Sequence, residues 1–307
     1  MAILIDPPLW PAHGTHFSHL VSDSSLAELH RFAAAAGIRE RAFDRDHYDV
    51  PVSRYRELVE SGAVEVSAGE LTRRLQASGL RVPARQRPEK LRRVLLRRWN
   101  ELLPGQEDLG RGLLERWAEP HRHYHGAGHL LAVLEALGQL APPAGPGLRP
   151  RAVWLAAWFH DAVYNGRAGQ DEQDSADLAA ASLSASGIGP DETAEVVRLV
   201  LLTADHSPGP RDESGALLCD ADLAVLGGAP AEYRRYVRDV RQDYAHVADA
   251  DFAAGRTAVV RRLLALDPLY RTPAAREKWL DSARRNLTAE LDAWQSAGPG
   301  WLRADTR

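Results

Sequence analysis

The stretch that decides the fold of most of this chain is AVWLAAWFHDAVY, residues 152–164. Its first eight residues are apolar and predict a helix packed into a core. This helix ends on His160 and Asp161, two polar residues that follow directly on a hydrophobic segment. Burying a carboxylate in such surroundings is costly unless it is paired or bound to a cation. The stretch therefore predicts a helical core with a cation-binding end.

Two further segments combine a helical pattern with polar groups. YHGAGH carries His125 and His129 four residues apart, so both would face one side of a helix or of a loop entering one. LLCDADL (217–223) interrupts another apolar helix with Asp220 and Asp222. A divalent metal satisfies all these groups together, because imidazole and carboxylate suit first-row ions. Such an ion lowers the pKa of bound water toward ~7, which makes hydroxide available near neutral pH.

The chain divides into two parts. Residues 1–85 mix short strand and helix patterns and predict a small α/β domain, whereas residues 86–307 carry successive helical patterns and predict an all-α bundle. The stretch from Val82 to Pro88, with two prolines and two arginines, predicts the linker between them. The helical segments of the second part run from Lys90 to Leu103, Leu109 to Trp117, His129 to Leu140, Arg151 to His160, Glu172 to Ser186, Asp191 to Leu202, Leu217 to Leu226, Glu232 to Tyr244, Asp249 to Leu266 and Ala274 to Trp294.

The N-terminal part is rich in histidine. Ala2–Ile5 and Ala63–Val66 predict strands, Ser25 and Ser67 predict helix N-caps, and Glu28 completes a capping box with Ser25. Its polar residues are similar to those of a small bacterial domain family of unknown function, which the pattern matches over about residues 1–80. Both a metal site and a structural polar network remain open for them. These residues are His13, His16, His19, His30, His47, Asp6, Asp23, Asp46 and Asp49.

The composition is that of a soluble globular protein. The 307 residues are 45% hydrophobic and 26% charged, with a net charge of -4 that gives no strong attraction to nucleic acid or to an anionic membrane. No apolar run approaches the ~20 residues that span a bilayer. The single cysteine, Cys219, allows no intrachain disulfide and suits a reducing compartment. We expect a cytoplasmic protein without a nucleic-acid or membrane partner; the oligomeric state is left open.

The motifs of the second part resemble the HD superfamily of metal-dependent phosphohydrolases, and more closely a bacterial branch identified as predicted HD phosphohydrolases. The resemblance covers about residues 90–295. It implies an all-α, HD-type bundle around one or two divalent ions of Mn, Mg, Fe, Zn, Co or Ni. One departure is Asp171, where the branch usually has Asn before Glu172. The motifs are RHYHxxxH from Arg122, WFHDxVY from Trp158, DExxSA from Asp171, DADLxxLG from Asp220, RxxY from Arg241, GR from Gly255 and ARxNL from Ala283.

The resemblance implies that the metal ligands are His129, His160, Asp161 and Asp222. Asp220 is the alternative to Asp222, because residues two apart lie about 200° around a helix and cannot both face one ion. The Ala-Asp-Leu triplet resembles the last ligand segment of other HD enzymes and favours Asp222.

Two residues are candidates for catalytic roles. The Tyr-His-x-x-x-His pattern also resembles cyclic-nucleotide phosphodiesterases, which implies that His125 protonates the leaving oxygen; a supporting hydrogen bond is the alternative. Glu172 follows the loop after the His-Asp pair and is expected to orient the attacking water or to bind a second metal. Its alternative is a helix N-terminal charge favoured by the helix dipole.

Four residues are candidates for substrate contacts. Guanidinium groups match phosphate oxygens in a bidentate way, which nominates Arg122, Arg241 and Arg256. Only two of the 38 basic residues are lysines, so an ordinary structural arginine is the competing interpretation for each. His206 ends an apolar helix and is nominated to contact phosphate or a second ion.

The leading functional hypothesis is metal-dependent hydrolysis of a phosphate ester in a nucleotide or a related small metabolite. An HD-like di-iron oxygenase keeps the metal and changes the reaction. A non-catalytic nucleotide-sensing module, with the N-terminal part as its output, is the third hypothesis.

Overall fold

The computed structural model describes residues 2–81, 88–140, 151–167 and 169–298. The chain forms two compact units, the first built mainly from residues before 85 and the second from Arg85 to Ser296. Nearly all of the predicted linker, Val82 to Pro88, lies outside the described residues. In the part of the chain that is described, no helix is long and apolar enough to cross a membrane.

The first unit is built on a six-stranded sheet. The strand order is β4-β5-β3-β1-β6, and β2 pairs with β3 off this path. The β1–β6 pair is parallel and the other pairs are antiparallel. The strands are β1 Ile3–Ile5, β2 Trp10–Ala12, β3 Thr15–Ser22, β4 Phe43–Asp44, β5 His47–Pro51 and β6 Val64–Glu65.

Three helices cover this sheet: α1 Leu26–Ala35, α2 Val52–Glu60 and α3 Ala68–Ala77. Because side chains alternate across a strand, the sheet buries two different sets of residues. Ile5 and Leu20 pack with α1 and α2 in one cluster. Leu4 and Val21 pack with α3 in another. Apolar cores therefore lie on both faces of the sheet.

The structure confirms a small α/β unit and corrects the predicted capping box. The Ser25 hydroxyl accepts the Glu28 N–H at 3.2 Å, as an N-cap does. The Glu28 carboxylate, however, accepts the hydroxyls of Ser22 and Ser24, at 2.6 Å each, instead of the Ser25 backbone N–H. The long strand β3 and its partner β5 were not among the predicted elements, because histidine and aspartate interrupt their apolar alternation.

In the described residues of the second unit, helices are joined by turns and loops without a strand, which confirms the mainly α prediction. A 3₁₀ turn, Leu223–Gly227, follows the seventh of its helices. The helices are α4 Pro88–Leu102, α5 Glu107–Arg116, α6 Ala127–Leu140, α7 Arg151–Phe159, α8 Gln170–Ala185, α9 Pro190–Leu202, α10 Glu213–Asp222, α11 Pro230–Asp243, α12 Asp249–Ala265 and α13 Pro273–Ala297.

The core of the second unit is centred on α6 and α7, whose apolar residues are almost all buried. Trp117 and Trp158 are both fully buried, and the Trp117 indole N–H donates to the Trp158 carbonyl at 3.0 Å. The Trp99 ring meets Trp158 edge to face at 5.0 Å and lies over Gly110, where a Cβ atom would overlap it. This packing holds the end of α7 in a fixed position.

One predicted helix differs in a way that matters for the site. The segment expected to run from Leu217 to Leu226 begins earlier, because Asp212 caps it by accepting the Gly215 N–H at 2.8 Å. It ends at Asp222, where the chain tightens into the 3₁₀ turn. Asp222 therefore sits at a helix end, as does the His160–Asp161 pair. The HD-type arrangement of the bundle remains a prediction.

Candidate metal centre

Three helices bring the predicted ligands together. His129 lies in the first turn of α6, His160 and Asp161 directly follow α7, and Asp222 is the last residue of α10. These helices pack against one another, so their ends meet. Both histidines are buried, and the side chains of Asp161 and Asp222 are only 18% and 14% exposed.

The ligand atoms of these four residues lie close together. His129 Nε2 is 3.1 Å from His160 Nε2 and 3.0 Å from Asp222 Oδ1. His160 Nε2 is 3.3 Å from Asp161 Oδ2 and 3.6 Å from Asp222 Oδ1. Asp161 Oδ2 is 3.7 Å from His129 Nε2. The structure thus brings together all four predicted ligands.

This donor set fits a divalent cation. His160 Nδ1 lies 2.9 Å from the Ala157 carbonyl, so that nitrogen carries the proton and Nε2 keeps its lone pair. Nε2 of His129 lies 3.1 Å from this lone pair, close enough for the two nitrogens to share one proton when no cation is bound. A cation held by both rings and the two carboxylates satisfies every group at once, and this mixture of nitrogen and oxygen donors suits first-row metals.

Burial and the neighbouring charges shift the pKa values of all four groups. Burial lowers the pKa of His129. Burial also opposes a charge on His160, but Asp161 and Asp222 outweigh it and raise the pKa of that ring. Although burial acts in the other direction, the histidines lower the pKa of both carboxyl groups. Asp161 and Asp222 are therefore ionised at neutral pH, the form that binds a cation.

Asp220 and His206 take different places around Asp222. Asp220, the alternative ligand, accepts the N–H groups of Arg271 and Thr272 at 2.8 and 2.6 Å, at the approach to α13. His206 follows α9 with φ 55° and places Nε2 2.7 Å from Oδ2 of Asp222. His206 thus binds the Asp222 oxygen that faces away from His129 and His160.

His125 is anchored by a residue that the sequence did not single out. The buried carboxylate of Asp243, at the end of α11, accepts the backbone N–H groups of His123, Tyr124 and His125. Its Oδ2 atom also lies 2.7 Å from His125 Nδ1. The His125 ring stacks on Tyr164 with 4.1 Å between centroids. Both position and tautomer of His125 are thereby fixed, with Nε2 left for other partners.

Glu172 and its neighbour Asp171 begin α8. Glu172 Oε2 accepts the Gly169 N–H at 2.6 Å, as expected for the alternative role at the helix N-terminus. The Glu172 side chain also lines the cavity next to the candidate ligands. Asp171 Oδ2 accepts the N–H groups of Asn165 and Arg167 at 2.8 and 2.7 Å. Its Oδ1 is buried and has no hydrogen-bond partner among the described residues, although Asp171 lines the same cavity.

Arg122 is bound entirely by the protein. Its guanidinium donates to the backbone carbonyls of His125, Asp161 and Ala162. A further N–H donates to Glu119 at 2.9 Å. The side chain is 1% exposed. Arg122 therefore links the loop of His125 to the end of α7. The predicted contact between its guanidinium and a substrate phosphate does not fit these bonds.

Arg241 and Arg256 are likewise engaged by the protein. Arg241 donates to the Tyr244 carbonyl at 2.6 Å. Arg256 is buried and makes two bonds to the Glu290 carboxylate at 2.8 and 3.0 Å, and one to the Tyr236 hydroxyl at 2.9 Å. Neither residue lines the cavity beside the four candidate ligands. The contacts of both guanidinium groups therefore match those of a structural arginine, the competing interpretation, rather than those of a phosphate ligand.

A cavity of about 190 Å³ opens beside the cluster. His125, Asp161 and Asp222 are in its wall, and so is Arg262 of α12. Arg262 has no hydrogen bond or ion pair within the described ranges, which distinguishes it from the three predicted arginines. No spacing in the sequence sets it apart from its neighbours. The wall also carries four tyrosines, of which the motifs had included three; they are Tyr124, Tyr164, Tyr236 and Tyr244.

Comparison with known proteins adds one match. A family model described as a protein of unknown function (DUF4031) matches residues 3–78. The match lies within the first unit and covers less than half of the chain. No curated protein and no solved structure matches the chain. The comparisons therefore name no chemistry for either unit.

Proposed function

We propose that the second unit is a metal-dependent phosphohydrolase acting on a phosphate ester of a nucleotide or a related small metabolite. The observation that carries the proposal is the convergence of His129, His160, Asp161 and Asp222 from three helix ends, beside a cavity that three of the four line. The motif resemblance to HD phosphohydrolases supports the same reaction class. When bound, a divalent cation supplies Lewis acidity that acidifies water and offsets charge on a phosphoryl oxygen.

His125 is the proton donor in this proposal. The Asp243 carboxylate accepts the Nδ1–H of His125 at 2.7 Å, which orients the ring and leaves Nε2 for the substrate. In the proposed reaction, Nε2 passes a proton to the oxygen of the departing alcohol. Stacking on Tyr164 fixes the plane of the ring, so the donor is positioned before substrate binds.

Arg262 is the phosphate-binding residue in this proposal. It lines the cavity, and the described part of the chain offers its guanidinium no ion-pair partner. The cavity, at about 190 Å³, is smaller than the ~300–1,000 Å³ usual for pockets that enclose a drug-sized ligand. It therefore suits a phosphoryl group with part of the leaving group, while the rest of the substrate extends outside.

The direct test combines metal analysis with activity measurements. Protein purified without chelator is analysed for metal and then assayed, loaded with each candidate divalent ion, against a panel of nucleotide mono- and diesters. We expect Asp161→Asn to lower both metal content and turnover, the latter by about a hundredfold or more. Asp292→Asn, an exposed carboxylate on α13, is the matched control and should match the wild type. Full turnover in Asp161→Asn would refute the site.

Two other outcomes would replace the proposal. Bound iron with a visible absorption band and oxygen consumption would identify a di-iron oxygenase at the same residues. Tight nucleotide binding without turnover under any divalent ion would identify a sensing module.

A separate test addresses Arg262. Loss of a charged hydrogen bond to phosphate costs about 1.5–3 kcal/mol, or roughly a tenfold to hundredfold loss in kcat/KM. We expect Arg262→Gln to show this loss with unchanged metal content. The adjacent Arg261, exposed on the same helix, gives the matched control Arg261→Gln. Equal kinetics for both variants would contradict the assignment.

A further inference from the structure

A second group of potential metal ligands lies in the first unit, on the sheet. His19 on β3 and Asp49 on β5 are directly paired across the two antiparallel strands, and His47 precedes Asp49 by two residues. Because side chains alternate along a strand, all three project from the same face. Leu20 and Val50 project from the opposite face, into the core that α1 and α2 cover. The pairing of two strands therefore collects the three polar side chains.

The ligand atoms of these side chains lie within reach of one ion. One atom from each of His19, His47 and Asp49 lies within 4.8 Å of the others. His47 Nε2 is 3.4 Å from Asp49 Oδ1. The two imidazole rings meet edge to face, with 5.0 Å between their centroids. The ligand atoms of His129, His160 and Asp222 in the second unit also lie within 4.8 Å of one another.

Each imidazole ring is bound at Nδ1 by a buried carboxylate. His19 Nδ1 lies 2.9 Å from Asp6 Oδ2, and His47 Nδ1 lies 2.6 Å from Asp46 Oδ1. Asp6 and Asp46 are 2% and 1% exposed, and Asp6 also accepts the His19 backbone N–H at 2.6 Å. A carboxylate on Nδ1 keeps the proton there and leaves the Nε2 lone pair for a metal, which is how metal-binding histidines are oriented in proteins. Here the arrangement occurs twice at one place.

We propose that His19, His47 and Asp49 bind a first-row divalent cation, with Zn²⁺ the best match. Two imidazoles and one carboxylate are the protein ligands in one class of catalytic zinc sites, which leave a further position for water or substrate. The His47 side chain is 6% exposed, whereas those of His19 and Asp49 are 25% and 49% exposed, so one side of the site faces solvent. The site is independent of the function proposed for the second unit.

The competing interpretation is a network of structural ion pairs, in which Asp6 and Asp46 simply neutralise two histidines. The two interpretations differ in what Asp49 does. In a structural network this half-exposed carboxylate contributes little, because exposed ion pairs are weak. In a metal site Asp49 is a ligand, and replacing it removes one of the three protein ligands.

The experiment uses the full chain with His160→Ala and Asp161→Asn, so that the centre in the second unit is removed. This protein is titrated with Zn²⁺ by calorimetry and with Co²⁺ by visible absorption. We expect one remaining equivalent of bound metal, weakened at least tenfold by Asp49→Asn. Asp46→Asn should weaken binding by about 10–100-fold, as for other carboxylates that orient metal-binding histidines.

His16→Ala is the matched control, because His16 is exposed on β3 and projects from the opposite face to His19. It should bind the ion as the parent protein does. Asp49 is half exposed, so Asp49→Asn is expected to fold, and circular dichroism checks this. The proposal is overturned if the parent protein binds no equivalent, or if Asp49→Asn binds Zn²⁺ with unchanged affinity. Phosphate-ester hydrolysis is not a readout here, so the two proposals can fail separately.

Discussion

Replacing Asp243 with alanine is expected to destabilise the second unit far more than replacing it with asparagine. The carboxylate is 0% exposed and accepts three backbone N–H groups and the ring of His125. Alanine leaves four donors without their acceptor. At about 1–3 kcal/mol for each buried unsatisfied group, and with water reaching some of them, the loss in free energy of unfolding is about 3–5 kcal/mol. Asparagine keeps one acceptor oxygen, which limits the loss to about 1–2 kcal/mol.

Urea titration at pH 7.5 followed by circular dichroism measures both values. Asp239, one turn earlier on α11, provides the matched control, because burial raises its pKa to about 6. Its ionised form therefore gains nothing from folding, and Asp239→Asn should not destabilise the protein. The reasoning is refuted if alanine and asparagine at Asp243 have the same effect, or if both lie within 1 kcal/mol of the wild type.

The effect of Asp243→Asn should also depend on pH. Burial alone would raise the pKa of Asp243, but His125 and the surrounding N–H groups lower it below the ordinary value. A carboxyl group with a lowered pKa stabilises the folded state fully above its unfolded-state pKa of about 3.9, and this stabilisation is lost as the pH falls through the folded-state pKa. The difference between wild type and variant should be complete at pH 6 and shrink below pH 4.

Three further predictions concern the second unit. Arg256→Leu leaves the buried Glu290 carboxylate without its bidentate partner and should cost about 3–5 kcal/mol in urea unfolding, more than the double replacement with Glu290→Leu. Gly227→Ala places a methyl group against Trp279 and should cost about 1–3 kcal/mol by the same assay; an unchanged midpoint would contradict the packing. Chelation of purified, metal-loaded protein should lower its Tm, with a smaller shift in His160→Ala, because bound metal stabilises only the folded state.

The helices of the second unit could be predicted because they repeat apolar residues at helical spacing and most of them are bounded by glycine or proline. The strands β3 and β5 could not, since the residues on one face are His19, His47 and Asp49 rather than apolar side chains. An alternation of this kind looks like a polar loop until the pairing of the strands is known. The same polar face is what makes the sheet a candidate metal site.

The candidate metal ligands were predictable because polar residues at the ends of apolar helices are costly unless they share a partner. The supporting residues were not. Asp243 lies in a helix where charged residues are common, and nothing in its spacing shows that it faces the loop of His125. The roles of Arg122 and Arg256 depend on acceptors 34 to 40 residues away along the chain, which no local pattern reveals.

Because of the position of Asp243, the proposed cation binding and the proposed proton donation depend on different segments of the chain. The four proposed ligands come from segments that end at Asp222, whereas the residue that holds His125 comes from a later helix. In the proposed enzyme, Asp243→Asn would therefore disturb the proton donor while all four proposed cation ligands stay in place. For the proposed activity, an intact set of ligands is then insufficient evidence of turnover, and the aspartate at the end of α11 is the further residue to inspect.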